Sequence, residues 1–318
     1  MKVNFANTQS SWRKYRSLGL FLVLVIFTAG FDISCPPLES IEGIDTDINP
    51  IFHDGTGSDS YVPPRINAVA VDSRTGSFFV GGSFASIDNV TAVNIAFYDK
   101  THDRFFRLFG KGVKHEQEFM GSSVNALTIS GSYLYVGGSF SQTATAVPTT
   151  GLNNIARYYI GNGSLRDVEN GYFEQVSNSG LNGPINALEV LGNDLFVGGM
   201  FSNTFSGSVS GLNNLGRYAI NCASNCWSSV YNGGMNSTVN ALEKGKFFSD
   251  DVLFIGGEFS AFNPSNSAVR FAAYLPAHHL FGLVRIDSSC DKNDVFRQTA
   301  PANAAVGLLR ESRQFQIP

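Results

Sequence analysis

Cysteine, histidine, aspartate and asparagine are the residues of this chain that could carry chemistry, and each offers an arrangement to weigh. Cys222 and Cys226 stand four residues apart in NCASNCW. A tetrahedral zinc site needs two further ligands at suitable spacing. The chain has no second close cysteine pair, and His278 and His279 are adjacent rather than spaced. The pair therefore predicts a local disulfide closing a short loop, as expected of cysteines in an exported chain. Cys35 follows an apolar run, where a bacterial lipoprotein carries its lipidated cysteine; Ser34 suits the position before it, and Asp32 does not suit the position three before. Its other readings are a bond to Cys290 or a free thiol.

Elsewhere the chemical signals weaken. Asp45, Asp47 and Asn49 open like a calcium loop, but Pro50 stands where glycine would make the turn and Thr56 where a bidentate glutamate belongs. An acidic linker is the expectation there. Asp287, Asp291, Asn293 and Asp294 form an oxygen-rich patch without ligand spacing. His53, His102, His115, His278 and His279 occupy no equivalent positions, and neither Gly-x-Ser-x-Gly nor His-Glu-x-x-His occurs. No catalytic residue, metal site or cofactor is expected. The sequons at Asn89, Asn162 and Asn236 are no more than an Asn- and Ser-rich chain produces by accident.

One polar residue recurs four times at one place: Asn67, Asn125, Asn186 and Asn240. Each sits in a repeated phrase. Ile66 to Phe84 reads INAVAVDSRTGSFFVGGSF, Val124 to Phe140 VNALTISGSYLYVGGSF, Ile185 to Phe201 INALEVLGNDLFVGGMF, and Val239 to Phe259 VNALEKGKFFSDDVLFIGGEF. The second glycines, Gly82, Gly138, Gly199 and Gly257, lie 56, 61 and 58 residues apart, so this is a repeat protein.

Each phrase reads as a hairpin: a short apolar strand, a polar turn, and a return ending in Gly-Gly-x-Phe. A third strand follows at NIAFY from Asn94, NIARY from Asn154, NLGRY from Asn214 and RFAAY from Arg270. Aromatics mark a fourth: Phe105, Phe106 and Phe109, then Tyr172 and Phe173, then Trp227, then Phe281 to Ile286. Four strands per unit is the pattern of a propeller blade. Strands such as Ile66 to Val71 and Leu253 to Ile255 are apolar almost throughout, which predicts burial on both faces, as between stacked blades. The glycine pairs predict a bulge or a close backbone approach, not a phosphate loop, for no Gly-x-x-x-x-Gly-Lys-Ser/Thr spacing accompanies them.

These phrases, with Gly-Leu-Asn-Asn-Ile-Ala-Arg-Tyr around Asn154, resemble kelch-like propellers of the delta-60 type, including the extracellular repeats of fungal cell-cortex polarity markers. The resemblance spans roughly Ile66 to Tyr274 and implies a β-propeller without a catalytic assignment.

The expected fold is all-β: a β-propeller with four full four-stranded blades over residues 66–286 and a partial fifth from the two termini, where residues 35–65 are a linker with a possible closing strand and residues 287–318 a partial blade or tail. Asn49 to Arg65 would give one outer strand; Ala304 to Glu311 and Arg313 to Ile317 would give two more. Such closure is incomplete, and the chain then either leaves an edge open or is a fragment of a longer one. In a propeller the first strands lie innermost, so the four asparagines either satisfy backbone groups at blade junctions or form an axial ring for an ion or small polar ligand.

Of the 318 residues 43% are hydrophobic and 15% charged, with net charge −4, enough apolar residues for one large core and no basic surface for nucleic acid. Arg13, Lys14 and Arg16 precede the run from Leu18 to Phe31, too short for a comfortable membrane span but suited to a signal peptide or N-terminal anchor over residues 1–34. The expected place is the secreted or cell-envelope side, free or attached through the N-terminus. The loops Ser141 to Leu152 and Ser202 to Leu212 are candidate contact surfaces. Together these features predict a non-enzymatic binding or scaffold module for protein or glycan partners. The alternative is a propeller hydrolase, lyase or oxidase with an axial active site.

Overall fold

The computed structural model describes residues 51–53, 60–62, 64–117, 121–231, 233–247, 250–260, 271–278, 280–284 and 297–298. Each repeat folds into an antiparallel sheet whose strands are ordered as in the chain. The first sheet comprises Arg65–Val71, Phe78–Ser83, Ile95–Asp99 and Arg104–Arg107. The second comprises Ser123–Ser130, Tyr133–Ser139, Ile155–Tyr159 and Phe173–Gln175. In the third are Ile185–Leu191, Asp194–Gly199, Leu215–Ala219 and Trp227–Ser229. The fourth holds Val239–Phe247, Asp250–Gly257, Phe271–Leu275 and Leu280–Val284, with Arg297–Gln298 as a fifth strand. β-Branched and aromatic residues recur through these segments, as suits a pleated surface packed on its neighbours. The α-helix described is Leu165–Glu169, a single turn capped by Ser164 and inserted before the last strand of the second sheet. The fold is all-β.

Ile51–His53 pairs with Ser60–Val62 as a separate two-stranded sheet, while Arg297–Gln298 adds to the fourth sheet. The described strands nearest the two termini thus share no sheet. Each of these strands pairs with one near it in the sequence, and closing a short loop costs less chain entropy than closing one across the whole chain. Ala304 to Ile317 lie outside the described residues.

One register irregularity recurs in all four sheets. Pairing passes from Ile66 opposite Gly82 to Ala68 opposite Gly81, so that Asn67 is an extra residue in its strand. Asn125, Asn186 and Asn240 are skipped in the same way. The bulge expected at the glycines therefore falls on the asparagine facing them. The second glycine supplies the close approach, since a Cβ on Gly82, Gly138, Gly199 or Gly257 would collide with the backbone carbonyl of Arg65, Ser123, Pro184 or Thr238.

The first glycine of each pair joins one sheet to the next. A Cβ on Gly81 would run into Val124 Cγ1; on Gly137 it would stand 2.6 Å from Ile185 Cγ2, and on Gly198 2.5 Å from Val239 Cγ1. Each glycine is thus a socket for the β-branched residue that opens the following sheet. A leucine three residues on (Leu127, Leu188, Leu242) packs beside it. The core follows these seams, with one cluster joining the first and second sheets, another the second and third, and another the third and fourth.

Ile66 to Val71, expected to be buried on both faces, is largely exposed. No sheet among the described residues covers its outer face, whereas Val124, Ile185 and Val239 at the equivalent position are fully buried.

Candidate functional site

The four repeated asparagines come together as a line across the sheets. Asn67 Nδ2 donates to Val124 O at 3.3 Å and to Asn125 Oδ1 at 3.3 Å; Asn125 Nδ2 donates to Ile185 O at 3.0 Å. Asn186 Nδ2 donates to Val239 O at 3.3 Å and to Asn240 Oδ1 at 3.1 Å. Each amide bonds the carbonyl of the residue just before the next asparagine, so the series links the first strands at the bulges. Asn67 and Asn240, at the two ends, are exposed, and Asn125 and Asn186 are half-buried. Amides carry no charge to move and hold a ligand only by dipole. The observed bonds use their N–H groups on the next sheet.

Asn94, Asn154 and Asn214 form a second series. The repeated phrase quotes them as part of a strand; the structure places them just before it at φ of 65°, 69° and 65°. Their Nδ2 atoms donate to Val113 O, Leu181 O and Met235 O, each at 2.9 Å, tying every sheet to the segment that leads into the next. The signal available in the sequence was asparagine's tolerance of left-handed backbone.

Ser77, Asp99 and His102 cluster in the first sheet. Asp99 accepts from Ser77 Oγ at 3.4 Å and from His102 N at 2.9 Å, with His102 Nδ1 at 2.5 Å from its Oδ2. A nucleophilic triad needs the imidazole between hydroxyl and carboxylate. Here the carboxylate is in the middle, closing the turn before Arg104. Burial works to raise the Asp99 carboxyl, but the bonds from His102 and Ser77 outweigh it and hold it below its ordinary range. Between the second and third sheets, Tyr135 is pushed up to about 12 by burial and by Tyr218, so it stays protonated at neutral pH.

A concave feature among the described residues lies where the first sheet hands over to the second. Gln142–Thr143 pairs with Val113–Lys114, and Ala144 N bonds Gly110 O at 3.1 Å and Gly112 O at 3.0 Å, so the loop expected as a contact surface is held against the connector between the sheets. The cleft so formed measures about 370 Å³ and is lined by Phe109, Lys111, Thr143, Thr145, Val147 and Tyr172 among others. Phe109 is 65% exposed, Val147 89% and Tyr172 44%. Phe109 N is fixed by Tyr158 Oη at 2.9 Å, and Tyr172 stacks on Tyr159 with ring centroids 5.6 Å apart. Thr143 Oγ1 accepts from Thr149 N at 2.8 Å. Aromatic faces, hydroxyls and one ammonium can hold a ligand; among the described residues the lining includes no carboxylate or imidazole for general acid–base work. Phe109 and Tyr172, expected within the fourth strands, lie just outside Arg104–Arg107 and Phe173–Gln175, and their place in a cleft is not readable in the sequence because it depends on a loop from another part of the repeat.

Cys222 and Cys226 are free thiols in this structure, not the expected disulfide. Cys226 Sγ donates to Cys222 O at 3.2 Å and Cys222 Sγ to Ser224 O at 2.9 Å, so each thiol engages a carbonyl of the loop. Cys35, Cys290, Asp45, Asp47, Asn49, Asp287, Asp291, Asn293, Asp294 and His279 lie outside the described residues. Compared with models of known protein families and with curated proteins, the chain matches none.

Proposed function

We propose that this protein is an exported or cell-surface β-propeller of the kelch-like, delta-60 kind, serving as a non-enzymatic binding or scaffold module for protein or glycan partners. Four successive sheets joined at three seams, each through the same glycine socket, support the propeller reading. The charged n-region and apolar run before Phe31 support export.

The observation that carries the binding reading is the cleft between the first and second sheets. Two exposed aromatic rings beside the exposed Thr149 and the Lys111 ammonium suit a sugar, which presents apolar C–H faces and a rim of hydroxyls; contiguous exposed apolar residues with a few polar groups mark interaction sites. A glycan is therefore the ligand to test first. On a glycan array, the purified protein should retain a set of polysaccharides, and Phe109→Ser with Tyr172→Ser should weaken that retention at least tenfold while the circular dichroism spectrum is kept. Equal retention by the variant would remove the cleft from the reading. Release of reducing sugar during incubation would instead favour the enzyme alternative.

A further inference from the structure

We infer that the two ends of the run of sheets are the two halves of one interface, and that a second copy of this chain docks there head to tail. Three internal seams show the interface in full. In each, a β-branched residue and a residue three positions on enter the next-door sheet at the first glycine of its pair. Val124 and Leu127 meet Gly81, Ile185 and Leu188 meet Gly137, and Val239 and Leu242 meet Gly198. An asparagine of the receiving sheet then donates to the carbonyl of the entering residue: Asn67 to Val124, Asn125 to Ile185, Asn186 to Val239.

The outer ends hold the same parts unassembled. Ile66 and Val69 are the entering pair of the first sheet, yet they are 39% and 50% exposed, against 0% to 9% for their six counterparts. Gly256 is the socket of the fourth sheet. Among the described residues a Cβ there would find only Ala241 of its own sheet, at 3.7 Å, and Gly256 is half-buried where Gly81, Gly137 and Gly198 are buried. Asn240, the donor that belongs with that socket, is exposed.

Each end holds the part that the other lacks, an entering pair on the first sheet and a glycine socket on the fourth, so a second copy offers a complementary surface to both. Contacts of this head-to-tail kind extend or close by repetition. Docking would seat Ile66 on Gly256 of the neighbouring copy and bring Asn240 to the Ile66 carbonyl.

Sedimentation equilibrium of the full chain over a hundredfold range of concentration tests this. Self-association is expected, and a monomer throughout would overturn the inference. Ile66→Asp spoils one end and Gly256→Val the other; both sites are open in the single copy, so both variants should keep the wild-type circular dichroism spectrum. Each variant alone should be monomeric. Their equimolar mixture should form a heterodimer and nothing larger, because one intact end of each kind remains. Association by either variant alone, or none in the mixture, would place the interface elsewhere and refute the proposal.

Discussion

Asparagine does two separate jobs in this molecule, and residue type alone does not tell them apart. Asn67, Asn125 and Asn186 bridge neighbouring sheets from bulges, while Asn94, Asn154 and Asn214 hold a left-handed turn and reach the segment beyond it. The first series was legible as a repeated polar residue in an apolar strand, because burying such a group demands a partner. Its partners were not, since they lie in the following repeat. Cysteine shows the same limit. The spacing of Cys222 and Cys226 says that a bond can be made, and the side-chain directions decide whether it is. Cys226 is 4% exposed and burial raises its thiol above the ordinary value, whereas Cys222 is half-buried. Thiolate is the reactive form. Alkylation of the folded protein at pH 8, followed by mass spectrometry, should therefore label Cys222 several times faster than Cys226. Equal rates would contradict the burial described here, and resistance of both until reduction would show the linked pair that the spacing suggests.

At the scale of strands and turns, the Gly-Gly pair reads differently from its sequence. Both glycines look alike in Val-Gly-Gly-x-Phe, but the second meets backbone and the first meets a side chain. Substitution should separate them. At Gly138 a Cβ would collide with the Ser123 carbonyl, which cannot rotate away, whereas at Gly137 it would press on Ile185 Cγ2 at 2.6 Å, which can shift with its side chain. Overpacking of the latter kind costs about 1–3 kcal/mol. Urea unfolding should rank Gly138→Ala as the more damaging, Gly137→Ala as losing about 1–3 kcal/mol, and Gly256→Ala, measured where the chain is monomeric, as within about 0.5 kcal/mol of wild type, the range of substitutions away from packed features. Equal losses at Gly137 and Gly256 would mean that the socket is not what distinguishes them. Strand order was legible in the repeats because period and turn residues are local. The exposure of Ile66 to Val71 was not, because an apolar strand reads the same whether or not a neighbour covers it.

Across the whole molecule, electrostatics ties the first sheet to the second at one point. Asp72 is 2% exposed and takes Arg74 Nη2 at 2.7 Å and Nε at 2.8 Å, while Arg74 Nη1 donates to Gly161 O of the second repeat at 2.9 Å. Burial works against the Asp72 carboxylate, but the Arg74 bonds and charge prevail and its pKa is lowered. Asp99 is lowered as well, again with burial opposing and the His102 bonds prevailing. A carboxyl with a depressed folded value contributes stability that is present above the unfolded value, about 3.9, and lost as pH falls through the folded one. Glu243 runs the other way, raised by burial and by the nearby Glu189, so acid relieves it. The two aspartates each grip a cation or a turn, and they set the expected sign. The urea midpoint should fall between pH 5 and pH 2.5. Asp72→Asn should lower the midpoint at pH 7, since Arg74 loses its anchor, and should flatten the acid slope, since one of the two titrating groups is gone. A variant with the wild-type acid slope would show that Asp72 does not carry the linkage, and a midpoint that rises in acid would give Glu243 the larger part.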